Sequence, residues 1–190
     1  DGVHALSWSE GDAIGIFSYD QTETQNNNIK ATLHESTIGE NKGVFVPVDE
    51  IVMIPSEEEG GEPTEGLIQI QYPQSSDETF VVYYPFKKGT SINVDDGCIH
   101  SSVPADQKQD KLGDRKVVHN GIATAVADVK AASGKATFSL THRLAYIAVK
   151  ASSTEFSGYQ LHGVQMFDKS GVAALGGDIA IEPLEGIVTL

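Results

Sequence analysis

Gly134 to Lys150, GKATFSLTHRLAYIAVK, reads as strand, break, strand. Thr137, Ser139 and Thr141 alternate with Ala136, Phe138 and Leu140, the period of two that marks a half-buried β-strand. The alternation fails at His142-Arg143, where polar residues displace the next inward position. Leu144 to Val149 is then a continuous apolar run, as expected for a strand covered on both faces. No catalytic set gathers around this unit. The chain reads as a built object whose function lies in its surfaces.

Working outward, Ile122 to Val129 is ambiguous. Ile122, Ala125, Val126 and Val129 fit a helical face, but the segment is short and Gly121 offers no cap. Extended structure is expected, with the Gly134 turn closing a hairpin onto Ala136–Thr141. Near the start, Trp8 precedes a turn at Ser9–Asp12, and Ala13 to Tyr19 (AIGIFSY) reads as the first strand. Gln21 to Asn28 is too polar to bury and reads as a loop. Val44 to Ile54 is broken by Pro47, predicting two short strands or one bent edge strand. Ser56 to Glu65 reads as a solvated acidic loop. In Leu67 to Tyr72, Ile68, Ile70 and Tyr72 face one way, Gln69 and Gln71 the other, and Leu67 is off-phase. Thr79 to Phe86 is strongly β-prone and is ended by Pro85. Asp95 to Asn120 is long, polar and little periodic, the pattern of a functional or mobile connection. Tyr159 to Phe167 is a further strand candidate. From Ser170 to Leu190 short apolar pieces alternate with Gly and Pro. About nine to twelve strands separated by Gly, Pro and Asn predict an all-β sandwich.

At 190 residues the chain is one domain, or one domain plus the start of another. That length supports a proper core. The net charge of −14 is unevenly spread: residues 1–100 hold 18 Asp/Glu and 4 Lys/Arg, and residues 101–190 hold 9 of each. The acidic half repels a phosphate backbone and an anionic membrane, which argues against nucleic-acid binding. Acidity of this kind keeps a protein soluble in a crowded or extracellular setting. Cys98 is the single cysteine, so neither an intrachain disulfide nor a cysteine metal cluster can form. No run of about 18 apolar residues is present. The chain starts at Asp1 without Met and ends at Leu190 in an apolar run. Loss of an N-terminal piece and continuation beyond Leu190 are the expectations.

Candidate sites are weak. His4, His34, His100, His119, His142 and His162 are scattered, with no ligand spacing of the HxxxH kind. His142 fits a histidine satisfied at a bulge or strand end, since no Gly-x-Ser-x-Gly elbow supplies it with a nucleophile. Asp95-Asp96-Gly97 lacks calcium-loop spacing and reads as a turn. Glu57-Glu58-Glu59 reads as a solvated run, with a weak cation site as the alternative. Tyr83 and Tyr84 must point to opposite faces of one strand. One of them is expected in the core; the other could be at the surface, with sheet packing favoured over a glycan platform. Trp8 reads as a plug over one end of the sandwich, and Cys98 as structural. No catalytic, cofactor-binding or metal residues are assigned.

Several pieces together carry a resemblance. They are Trp8-x-x-Gly11-Asp12-x-Ile14-Gly15-Ile16-Phe17, Tyr83-Tyr84-Pro85-Phe86, Pro104-Ala105-Asp106-Gln107, Phe138-x-Leu140-x-His142-x-Leu144 and Leu161-x-Gly163-Val164. In this order, over about residues 8–167, they resemble the fimbrillin-like (Mfa-like) family of fimbrial subunits and adhesins of Gram-negative anaerobes. The family's Asp-Leu-Leu/Met-x-Ala stretch is reduced here to Ile122-Ala123-Thr124-Ala125. The resemblance implies transthyretin-like Greek-key β-sandwiches. Residues 1–170 would form the N-terminal one. Residues 171–190 would supply its last strands or the connection to a missing C-terminal one. It further implies a non-enzymatic structural or adhesive subunit of cell-surface fimbriae, without cofactor, exported as a lipoprotein precursor to the outer membrane. Its partners would be other fimbrial subunits, joined by β-strand exchange, and host or bacterial surface proteins or glycans. Maturation in the family follows an Arg; Arg115 and Arg143 lie too far into this chain, which places any such cut before Asp1. A surface glycan-binding β-sandwich module is the alternative function.

Overall fold

A computed structural model describes residues 7–19, 28–54, 56, 60–70, 73, 77–93, 95–103, 121–144, 154–155, 157–159, 169 and 176–189. Apart from one 3-10 turn at Glu35–Thr37, the regular structure among them is all strand. In chain order the strands are β1 (Ala13–Tyr19), β2 (Ile29–Leu33), β3 (Phe45–Pro47), β4 (Glu50–Ile54), β5 (Thr64–Ile68) and β6 (Glu78–Tyr84). There follow β7 (Ser91–Ile92), β8 (Ile99–Val103), β9 (Ala123–Val129), β10 (Thr141–His142), β11 (Gly177–Ile181) and β12 (Val188–Thr189). A six-stranded sheet has the order β10-β9-β6-β1-β2-β3, a four-stranded sheet the order β12-β11-β8-β7, and β4 and β5 pair by themselves.

Side-chain alternation along the six-stranded sheet builds two cores. On one face Ile14, Ile16, Ile29, Ala31, Phe80, Val82 and Tyr84 form a cluster, closed over by Trp8, Phe45, Ile70, Phe138 and Leu140. On the other face Phe17, Val81 and Tyr83 meet Ile92, Ile99, Val103, Ile179 and Ile181 of the four-stranded sheet. The two sheets therefore pack face to face as an all-β sandwich. Tyr83 and Tyr84 point oppositely, as expected, and both are buried.

Gly15 stands opposite Tyr83 in the β1–β6 register. A Cβ there would lie 1.9 Å from Tyr83 Cε1, so the tyrosine ring occupies the space that a side chain would need. The Tyr83 hydroxyl donates to Asn28 Oδ1 at 2.9 Å and accepts from the Lys87 amide at 3.2 Å. Burial raises its pKa above 10.0, against hydrogen bonds with Lys87, Thr90 and Asn28 that lower it.

The segment 134–144 departs from its sequence reading. β9 is extended as expected, but the returning chain joins its ladder only at Thr141–His142, opposite Thr124 and Ala123. Residues 134–140 are unpaired in any sheet. Phe138 and Leu140 still turn inward, onto the first core, while Ala136 is exposed. The expected break is thus where the ladder forms. The polar pair marks a change of layer: Leu140 packs on the first core and Leu144 on the second. Residues 145–150, and with them most of the expected second strand, lie outside the described residues.

Other elements are shifted or were missed. Val44 to Ile54 does form two strands, β3 and β4. β5 begins at Thr64, inside the expected acidic loop, and Gln69 and Ile70 are not in it. The polar stretch from Asp95 hides β8, whose Ile99 and Val103 are buried. Those two apolar residues are separated by His100, Ser101 and Ser102, so the hydrophobic signal is too sparse to read. Residues 104–120 and 160–168 are outside the described set.

Candidate assembly surfaces

The first motif is a structural joint. Gly11, at φ 85°, turns the chain so that Asp12 can reach back. Asp12 Oδ2 accepts from the Ser9 amide at 2.7 Å, and its Oδ1 accepts from the Tyr84 hydroxyl at 3.0 Å. Trp8 packs edge-on against Phe45 and Tyr84, at 4.9 and 5.2 Å between ring centroids. Its backbone is tied on both sides, to Glu40 and Gly39. A Cβ on Gly43 would come within 2.9 Å of Trp8 Nε1 and 2.6 Å of Phe45 Cε2. Trp8 is a plug over the first core, as expected.

Arg143 spans the two sheets. Its amide continues the ladder to the Ile122 carbonyl at 2.7 Å, and its Nε donates to the buried Thr124 hydroxyl at 2.6 Å. The guanidinium lies against Gly186, where a Cβ would meet Nη1 at 1.8 Å, in the turn joining β11 to β12. Sequence reasoning missed this role, because it depends on a partner 43 residues away in a different sheet.

The histidines and acids do not converge. His34 Nδ1 accepts from the Ser36 amide at the start of the 3-10 turn. His142 stands at the strand end on β10, exposed, with desolvation lowering its pKa below 6.5. Asp96 Oδ1 accepts from the Cys98 amide at 2.8 Å, and its Oδ2 pairs with His100 Nε2 at 2.9 Å. Asp95-Asp96-Gly97 is therefore a turn whose carboxylate is spent on its own neighbourhood. Burial, then the Asp96 and Glu182 carboxylates, raise the Cys98 thiol above 9.0, which leaves it a poor nucleophile. His4, Glu57, Glu58, Glu59, His119 and His162 lie outside the described residues. No group of three or more metal-ligating side chains stands together among the described residues.

What the surface does offer is edge and apolar area. Among the described residues β3 and β10 bound one sheet, and β7 and β12 the other; each is only two or three residues long, a common protection against unwanted pairing. The β4–β5 hairpin is a sheet of its own, and Ile51, Met53 and Leu67 on it are 69%, 57% and 55% exposed. Among the described residues no helix is long and apolar enough to cross a membrane.

A family model described as fimbrillin-like matches residues 3–180. The chain belongs to the fimbrillin-like family. No curated protein and no solved structure matches it. In this fimbrillin-like chain the first motif and Tyr83-Tyr84 converge on the paired strands β1 and β6. These two motifs are thus built into the fold. Family membership supports a fimbrial subunit role at the cell surface.

Proposed function

We propose that this fimbrillin-like chain is a structural and adhesive subunit of cell-surface fimbriae, joined to neighbouring subunits by β-strand exchange. The family match over residues 3–180 carries the reading. In strand exchange an added strand pairs with an open sheet edge, whose backbone N–H and C=O groups form a register-specific template. On this reading the sandwich is a transthyretin-like Greek key, one of two in a longer protein exported as a lipoprotein precursor to the outer membrane. Its partners are other fimbrial subunits, with adhesion to host or bacterial surface proteins or glycans. The glycan-binding module stays as the second reading: among the described aromatics Tyr83 and Tyr84 are buried and Trp8 is packed on Phe45 and Tyr84, while Tyr159 is 80% exposed.

Immunogold electron microscopy on producing cells tests the proposal, with antibody raised against this chain. Gold along or at the ends of filaments is the expected result. Even labelling of the envelope without filaments would sink it.

A further inference from the structure

We propose that residues 134–140 are a strap with two positions. In one it is docked on the first core, its place in this structure; in the other it is zipped along the outer edge of β9 as a longer β10. The device is intramolecular and independent of how subunits join.

The two sides of β9 are unequally paired. All seven of its residues have partners in β6, but only Ala123 and Thr124 have partners in β10. Among the described residues no strand pairs with 125–129 on that side. The Arg143 amide donates to the Ile122 carbonyl, so by alternation the backbone groups of Thr124, Val126 and Asp128 point the same way. Such an edge is a template for stray pairing, and its backbone polar groups need a partner or water.

The returning chain is built to supply the missing strand. Continued at the observed register, Leu140, Ser139, Phe138, Thr137 and Ala136 fall opposite Ala125, Val126, Ala127, Asp128 and Val129. Facing agrees along the whole run. Phe138 and Leu140 already pack on the first core, the side to which Ala123 and Val129 of β9 also turn, and cross-strand partners share a face. Thr137 and Ser139 are exposed, as the outward positions should be. Zipping therefore needs a sideways shift and no exchange of faces. Both ends of the strap are already fixed. The Ala131 amide donates to Asp77 Oδ1 at 3.1 Å and the Ala132 amide to the Pro73 carbonyl at 2.8 Å, while Thr141–His142 hold the other end. Ala132 and Gly134, at φ 56° and 59°, turn the chain, and residues 131–134 become a four-residue hairpin loop on zipping. Charge opposes closing. Lys135 would come directly opposite Lys130, an unfavourable cross-strand pair, and the ion pair of Lys130 with Asp77 offsets part of that repulsion.

The test traps the zipped register in a chain carrying Cys98→Ser. Asp128→Cys with Thr137→Cys places two thiols at exposed positions, about 5.5 Å apart between Cα atoms when zipped and so within disulfide reach. Under oxidised glutathione this pair should close roughly tenfold or more faster than the off-register pair Asp128→Cys with Ser139→Cys, whose Cα atoms lie at or beyond that reach. Hydrogen exchange followed by NMR then compares the oxidised and reduced forms. Oxidation should slow the Val126 and Ser139 amides by roughly tenfold or more and leave those of Phe80 to Tyr84 unchanged. Equal closure of the two pairs, or oxidation without that slowing, would overturn the proposal. So would Val126 and Ser139 amides that exchange as slowly as those of β6 in the unaltered chain, because the segment would then be a fixed strand. If the first pair does not fold, Val126→Cys with Ser139→Cys tests the same register against Val126→Cys with Thr137→Cys.

Discussion

β6 and the β4–β5 hairpin are both rich in large apolar side chains, yet Phe80–Tyr84 and Ile51, Met53 and Leu67 sit at opposite ends of the burial range. β6 lies between β1 and β9, and Phe80, Val81, Val82, Tyr83 and Tyr84 are all buried. Among the described residues the hairpin has no third strand, and Ile51, Met53 and Leu67 are exposed. Strand propensity is shared, and covering is not. The same residue types therefore hold the fold together in one region and remain available for contact in the other.

The comparison breaks most visibly at Gly15. Gly15→Val places a branched side chain inside the space of the Tyr83 ring. We expect a loss of roughly 3 kcal/mol or more, or failure to fold, by urea unfolding; a change under about 1 kcal/mol would mean the ring can move aside. Next, Phe80→Ala should cost about 3–5 kcal/mol through the cavity it leaves, while Ile51→Ala should change stability by less than about 0.5 kcal/mol. Equal losses in the two variants would show that the hairpin is covered within the monomer. Tyr84→Phe removes the buried hydrogen bond to Asp12 and should cost about 1–3 kcal/mol with an unchanged spectrum of the folded state. A neutral result would put the weight of that joint on Trp8 packing.

The smallest effects are ionic. Lys130, then the Ala131 amide, hold the Asp77 carboxyl below 3.8. The Cys98 amide, then His100, do the same for Asp96. Both groups contribute stability that is fully present above 3.8 and is lost as pH falls through the lower folded value. His142 is also depressed, from 6.5. Its folded form binds fewer protons than the unfolded chain, so its contribution declines as pH falls below 6.5. Melting temperature should drop first across the histidine range and again below 3.8. His142→Asn should diminish only the first drop, and an unchanged first drop would assign it to other histidines.

Legibility followed pattern strength. β1 was readable because AIGIFSY alternates inside clear polar flanks, and the turn before it because Gly11-Asp12 has specific backbone chemistry. β8 was unreadable because only Ile99 and Val103 carry its apolar signal. The break at His142-Arg143 was seen but misread. Alternation records which face is covered, and it fails equally at a strand end and at a passage between layers. Of the surface features, the off-phase Leu67 and the base-free run from 43 to 86 were visible in the sequence. That Leu67 pairs with Ile51 on an open face was not.

By itself the sequence determined the β class, the opposed tyrosines, the acidic first half and the family, because period, composition and motif order are local properties of the chain. The tertiary structure alone decided that both tyrosines are buried, that Arg143 ties two sheets and that the hairpin stays open. Burial is settled by what arrives from elsewhere in the chain to cover a strand.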